Sequence, residues 1–200
     1  MRCAIALIST IFLLPIPGSA QVKVDIEDLA HHPLEADFPT GGQLRMRIRS
    51  AEIHIVGSDE KKIAIHIGGK NGSDSDDVRA HFERIGDSGE LRVTGGPSNE
   101  VTITVQVPRN SSLKVHIVAG AVEVRDIQGD KDIQLGAGDL TIGVGDPADY
   151  SHVDASVTSG AIEAQPFGES RGGLFRSFEK SGSGKYKLVA HVGAGDLTLK

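Results

Sequence analysis

Apolar residues in this chain fall on one template five times: an alternating stretch, a small residue, then an alternating stretch of opposite phase. With a zero set at Ala51, Gly120, Gly138, Gly160 and Gly195, five places before it stand Met46, Val115, Ile133, Ala155 and Ala190. Three places before stand Ile48, Ile117, Leu135, Val157 and Val192. Two after are Ile53, Val122, Leu140, Ile162 and Leu197; four after are Ile55, Val124, Ile142, Ala164 and Leu199. All twenty are apolar in a chain that is 38% hydrophobic, where composition alone gives about eight. Among the interleaved positions only Val118, Ala121 and Ala161 are apolar.

Side chains alternate between the faces of a strand, so this phase flip cannot occupy one straight strand. The chain must turn at zero, so that both strands present their apolar side to one interior. Four of the five zeros are glycine, the residue suited to backbone angles a side chain forbids. The residue before zero is always small as well: Ser50, Ala119, Ala137, Ser159 and Ala194. The pattern predicts an all-β fold, a β-solenoid or β-helix-like stack of short strand pairs with Ala51, Gly120, Gly138, Gly160 and Gly195 as corners.

The zeros are 69, 18, 22 and 35 residues apart. About 20 residues suit one rung of such a stack. The longest gap has room for a hairpin, with strands at Val78–Phe82 and Glu90–Val93 and a turn at Asp87-Ser88-Gly89. A helix carrying Val78, Phe82 and Ile85 is the alternative there. Gly68 to Asp77 reads as a solvated loop, and Val101–Val107 as a strand stopped by Pro108. The 35-residue gap holds an insertion from Gly168 to Gly184, flanked and occupied by Phe167, Phe175, Phe178 and Tyr186. That aromatic cluster forms either a local core or a contact patch.

Residues 1–20 read as an export signal: Arg2, an apolar stretch Ala4–Leu14, Pro15 and Pro17, and Gly18-Ser19-Ala20 before a cleavage at Gln21. Eleven apolar-run residues are too few for a bilayer-spanning helix, which needs about 20. The single cysteine, Cys3, leaves with the signal, so the mature chain lacks disulfides. Residues 21–42 are expected to form an N-terminal leader and 43–200 a single repetitive β domain. No later segment is expected to span a membrane. Loss of Arg2 takes the net charge from −6 to −7, which makes nucleic acid a poor partner. Arg45, Arg47 and Arg49 are basic but alternate, and so mark a solvated outer face.

Gly136-Ala137-Gly138-Asp139-Leu140-Thr141 and Gly193-Ala194-Gly195-Asp196-Leu197-Thr198 are one hexapeptide written twice. A phosphate-binding loop would need a helix after the glycines and a Lys-Ser/Thr pair; here a strand follows. A calcium-binding β-roll would need its acid two places after glycine in nine-residue repeats. Asp139 and Asp196 are thus only weak metal candidates, and the plain reading is a β-corner with an exposed acid. Glu52, Glu123, Asp139, Glu163 and Asp196 would form one acidic ridge if the units stacked in chain order. His116 and His191 share an outward column with Arg47, Gln134 and Ser156, a mixed polar face rather than a zinc site, which needs convergent ligands. His31-His32 is an isolated pair. No nucleophile elbow is present, and no tryptophan offers a sugar platform. Asn71 and Asn110 head formal glycan acceptors, relevant only in a eukaryotic secretory pathway. No catalytic residue and no cofactor is expected.

Val101 to Pro108, then Leu113-Lys114-Val115 running into Val118-Ala119-Gly120-Ala121-Val122-Glu123-Val124, resembles the putative adhesin family known as DUF4097 or the adhesin domain. Gly172-Gly173-Leu174-Phe175-Arg176-Ser177-Phe178, Gly182-Ser183-Gly184 and the terminal Gly-Ala-Gly-Asp-Leu-Thr are similar to its bacterial exported members. The likeness covers residues 41–200; Ala51 departs from it, where the pattern favours glycine. The resemblance implies an all-β, solenoid-like protein of the bacterial periplasm or cell surface, and it brings no catalytic residues. The expected function is a non-enzymatic module binding an unidentified protein or glycan at the envelope. A structural component that associates with itself through strand edges is the alternative, and a polysaccharide-acting enzyme ranks below both.

Overall fold

Alternating β-branched and leucine residues make strands wherever the template runs, and the computed structural model shows them throughout. It describes residues 21–29, 31–69, 78–95 and 101–200. The expected signal segment 1–20, Asn71 and most of the expected loop Gly68–Asp77 lie outside the described residues. In chain order the strands are β1 (Gln21–Ile26), β2 (Leu34–Asp37), β3 (Gln43–Ser50), β4 (Glu52–Ser58), β5 (Lys62–Gly69), β6 (Arg79–Ile85), β7 (Ser88–Thr94) and β8 (Val101–Pro108). There follow β9 (Ser112–Ala119), β10 (Val122–Arg125), β11 (Lys131–Ala137), β12 (Leu140–Ile142), β13 (Tyr150–Ala164), β14 (Glu169–Ser181), β15 (Tyr186–Ala194) and β16 (Leu197–Leu199). Two single 3₁₀ turns, at Pro147–Asp149 and Gln165–Phe167, are the only helical pieces among the described residues.

The strands form one continuous sheet in the order β1-β6-β7-β3-β9-β11-β15-β13-β16-β12-β10-β4-β8-β5-β2, with β14 paired to β13. Strand β13 bends at Gly160 and so belongs to both halves. The half from β1 to the start of β13 is the first wall; the half from the end of β13 to β2 is the second. In the middle of each wall the pairing is parallel, and the two apolar faces enclose a common core.

Across the first wall the register aligns Ile48, Ile117, Leu135, Val192 and Val157 in one column. Across the second it aligns Ile53, Val122, Leu140, Leu197 and Ile162. All twenty template positions are exposed by 4% or less. The structure departs from chain order, however. The unit with its corner at Gly195 lies between those of Gly138 and Gly160, so the two copies of the hexapeptide stack on each other, with Ala137 beside Ala194 and Leu140 beside Leu197.

Two glycines of this region lie close to the strand beside them: a Cβ on Gly193 would lie 2.3 Å from the Gly136 carbonyl oxygen, and one on Gly136 2.4 Å from that of Val118. The corners are equally close: Gly120, Gly138, Gly195 and Gly160 take φ between +121° and +141°, and a Cβ on any of them would stand about 2 Å from the carbonyl oxygen of the corner above. Ala51 tolerates its Cβ because its φ is not positive.

The expected hairpin forms as β6 and β7, antiparallel, which excludes the helix over Val78, Phe82 and Ile85. Its turn is earlier than expected. Gly86 takes the left-handed φ of +59°, whereas Gly89 sits in β7 where a Cβ would be 2.8 Å from the Phe38 ring. Residues 21–42 contribute β1 to the first wall and β2 to the second, and bury Leu29, Leu34 and Phe38.

Gly138→Val combines a forbidden φ with a backbone collision and should cost about 3 kcal/mol or more. Thr141→Val, on the outer face of β12, should stay within about 0.5 kcal/mol. Thermal melts followed by circular dichroism separate the two.

Candidate functional site

The acids beyond the corners do not form one ridge. They occupy two columns, because some stand one place after zero and others three. In the first column Asp139 and Asp196 are neighbours, and each is spent on the backbone below it. The Asp196 N–H donates to Asp139 Oδ1 at 3.2 Å, and the Ala161 N–H donates to Asp196 Oδ1 at 2.9 Å. These carboxylates cap amides that the tight corners leave without a ladder partner. Glu52 heads the same column, 3.2 Å from His54 Nε2.

In the second column Glu123 lies 3.1 Å from Lys200 Nζ, 3.2 Å from His54 Nδ1 and 3.6 Å from Arg125 Nε. The Lys200 ammonium foremost, with Arg125 and His54, holds the Glu123 carboxyl below the usual carboxylate range. Glu163 stands further along, beside Thr198. Among the described residues no three His, Cys, Asp or Glu side chains are grouped to hold a metal ion.

The outer face of the first wall gathers more. Arg92, Arg47, His116, Gln134, His191 and Ser156 stand side by side on consecutive strands, the last two joined by a 2.9 Å hydrogen bond between Ser156 Oγ and His191 Nδ1. Beside this row a shallow groove of about 480 Å³ is lined by Arg45, Met46, Arg47, Lys114, His116 and Gln134. It meets a second groove of about 510 Å³ at the leading ends of β3, β7 and β9, and the two share Arg45 and Lys114. Lys114 is paired with Asp132 at 2.7 Å, while Arg47 has Glu90 at 4.0 Å. Among the described residues neither Arg45 nor Arg49 has an ion-pair partner. Arginines at alternate places, and the column that sets Arg47 beside His116, are legible in the sequence; the groove that Arg45, Arg47 and Lys114 line together is not, because β9 lies more than 60 residues away.

The aromatic cluster divides. Phe167 and Phe178 pack at 5.7 Å between ring centroids, with Tyr150 at 6.5 Å from Phe167, and close the core at the β14 end. Phe175 is 80% exposed and Leu174 64%, both where β14 follows the bend of β13. Strand β14 ends the sheet, yet its backbone is partly covered. Arg176 Nε donates to the Gly172 carbonyl and Arg171 Nη1 to that of Ser177, both at 2.8 Å.

One polar core residue has no announcement in the sequence beyond its place. Lys131 takes the first inward position of β11, between Leu113 and Leu188, and is 1% exposed. Its Nζ donates to Tyr150 Oη at 2.7 Å, and the Tyr150 hydroxyl donates to the Val144 carbonyl at 3.0 Å. Burial lowers the Lys131 pKa to about 8, against the opposing pull of Asp130 and Asp149. Burial likewise pushes the Tyr150 phenol up to about 12, so it stays neutral while the lysine titrates.

The unfolded chain holds the Lys131 proton more tightly than the folded one, so the fold gains stability as pH rises from about 8 toward the ordinary 10.5. Lys131→Met should raise the urea midpoint at pH 7, and its advantage over the parent should shrink across that window. Parallel urea titrations at pH 7, 9 and 10.5 check this.

No family model matches the chain, and no curated protein matches it. Two solved structures are similar. A putative cell adhesion protein from Clostridium sporogenes ATCC 15579 superposes with a TM-score of 0.50 at 13% identity, over 84% of this chain and 99% of that one. A putative adhesin from Bacteroides fragilis NCTC 9343 aligns over 92% of this chain and 99% of that one, at 11% identity and a TM-score of 0.25. The Clostridium likeness is one of fold.

Proposed function

We propose that this chain is a non-enzymatic, exported module of the bacterial envelope or surface, belonging to the adhesin-domain group and binding another macromolecule. On this reading the sheet is a solenoid-type stack of bent strand pairs, with the Gly195 unit inserted out of order. The observation that carries the proposal is the outer face of the first wall, where polar side chains stand in register on consecutive parallel strands, about 4.8 Å apart. Such a lattice suits many weak contacts with an extended partner. The fold shared with the Clostridium protein supports it. Among the described residues no helix is long and apolar enough to cross a membrane.

A second reading, assembly with copies of itself, draws on Leu174 and Phe175, which stand exposed on the strand that ends the sheet.

On the favoured reading, labelled protein binds members of an array of surface glycans and matrix proteins, and runs as a monomer in size exclusion. A blank array, with a crosslinked ladder that Phe175→Ser abolishes, would transfer the function to assembly.

A further inference from the structure

The outward residues of β7, β3 and β9 carry five cations, Arg92, Arg45, Arg47, Arg49 and Lys114, against one carboxylate, Glu90. These three strands carry a net charge of +4, or +3 with Asp132 of the adjoining β11, which pairs with Lys114 at 2.7 Å, on a chain whose total is −6. The groove along it, about 480 Å³, is lined by Arg45, Arg47, Lys114, His116 and Gln134 with Met46, and by no acid. Glu90 already serves Arg92 at 3.4 Å and Arg47 at 4.0 Å, so Arg45 and Arg49 are left to solvent among the described residues.

We propose that this band binds a carboxylate-bearing polysaccharide, a stretch of uronate residues laid across the strands. The proposal rests on the binding reading above and names its ligand class.

The chemistry selects this occupant. Guanidinium groups recognise carboxylates through paired N–H donors, and here they repeat about 4.8 Å apart across strands and about 6.8 Å apart along β3. A flexible chain of acidic sugars can place successive carboxylates on such a lattice. A protein partner would need a buried aromatic or aliphatic anchor, yet the only apolar side chain outward on these three strands is Val118. A membrane surface would engage aromatic residues at its interface, and the band has none. Because the contacts are exposed ion pairs, affinity should fall steeply with salt.

The test uses the mature protein with polygalacturonate at 50 mM and 500 mM NaCl, beside fully methyl-esterified polygalacturonate and poly-glutamate. The expected result is binding to polygalacturonate at low salt, at least tenfold weaker at high salt, with no binding to the ester and weaker binding to poly-glutamate. Arg45→Ser with Arg47→Ser should weaken binding at least tenfold, whereas Lys187→Ser, on the same wall outside the band, should leave it unchanged. Thermal melts establish that the variants fold, and Lys114→Ser alone replaces the pair if it does not. Absence of binding at 50 mM NaCl, equal binding to the ester, tighter binding to poly-glutamate, or indifference to the substitutions each overturns the proposal. The array separates the two levels: array binding that survives Arg45→Ser with Arg47→Ser sinks this ligand assignment and leaves the binding reading standing, while a blank array removes that reading itself.

Discussion

Everything in this molecule hangs on how closely one corner lies over the next. The Cα of each corner glycine faces the carbonyl oxygen of the neighbouring corner so nearly that one added carbon would sit about 2 Å from it. That approach sets the stacking distance and keeps the backbone hydrogen bonds continuous through the bend, as when the Gly120 N–H donates to the Ala137 carbonyl and the Gly138 N–H to that of Ala194. With the bends superposed, aliphatic columns align on both walls and fill the narrow interior. The stack needs no disulfide, because each added strand pair both completes hydrogen bonds and covers its neighbour's apolar edge.

The same closeness governs polar residues. Tight corners leave amides facing away from the ladder, and Asp139 and Asp196 accept from them. Asp139 and Asp196 are therefore employed on the backbone, while Glu123 is matched by Lys200 and Arg125. The arginines of β3 are different: they lie on the flat outer face, away from the corners, where the backbone is already satisfied. Arg47 meets Glu90 at 4.0 Å, and among the described residues Arg45 and Arg49 have no ion-pair partner.

The ends of the stack are managed by other means. At one end β1 and β2 cover the two walls with antiparallel pairs. At the other, β14 runs antiparallel to β13, Phe167 and Phe178 fill the core beneath it, and Arg171 and Arg176 bond carbonyls of the strand itself. Blunting an edge in this way lowers its tendency to template another chain. It leaves Leu174 and Phe175 as the exposed apolar feature of that end.

How the sequence and the tertiary structure divide the information follows from range. Whether a side chain points in or out depends on its parity relative to the nearest corner, a local property. The twenty template positions, the bends at the four glycines and the outward placing of Arg45, Arg47 and Arg49 were therefore legible from residues alone. The vertical order of units is not local: it seats β15 between β11 and β13, although β15 comes after both in the chain. Only folding could decide that the two hexapeptides meet, that Lys131 lies under Tyr150, and that β3 and β9 bring Arg45, Arg47 and Lys114 to one groove.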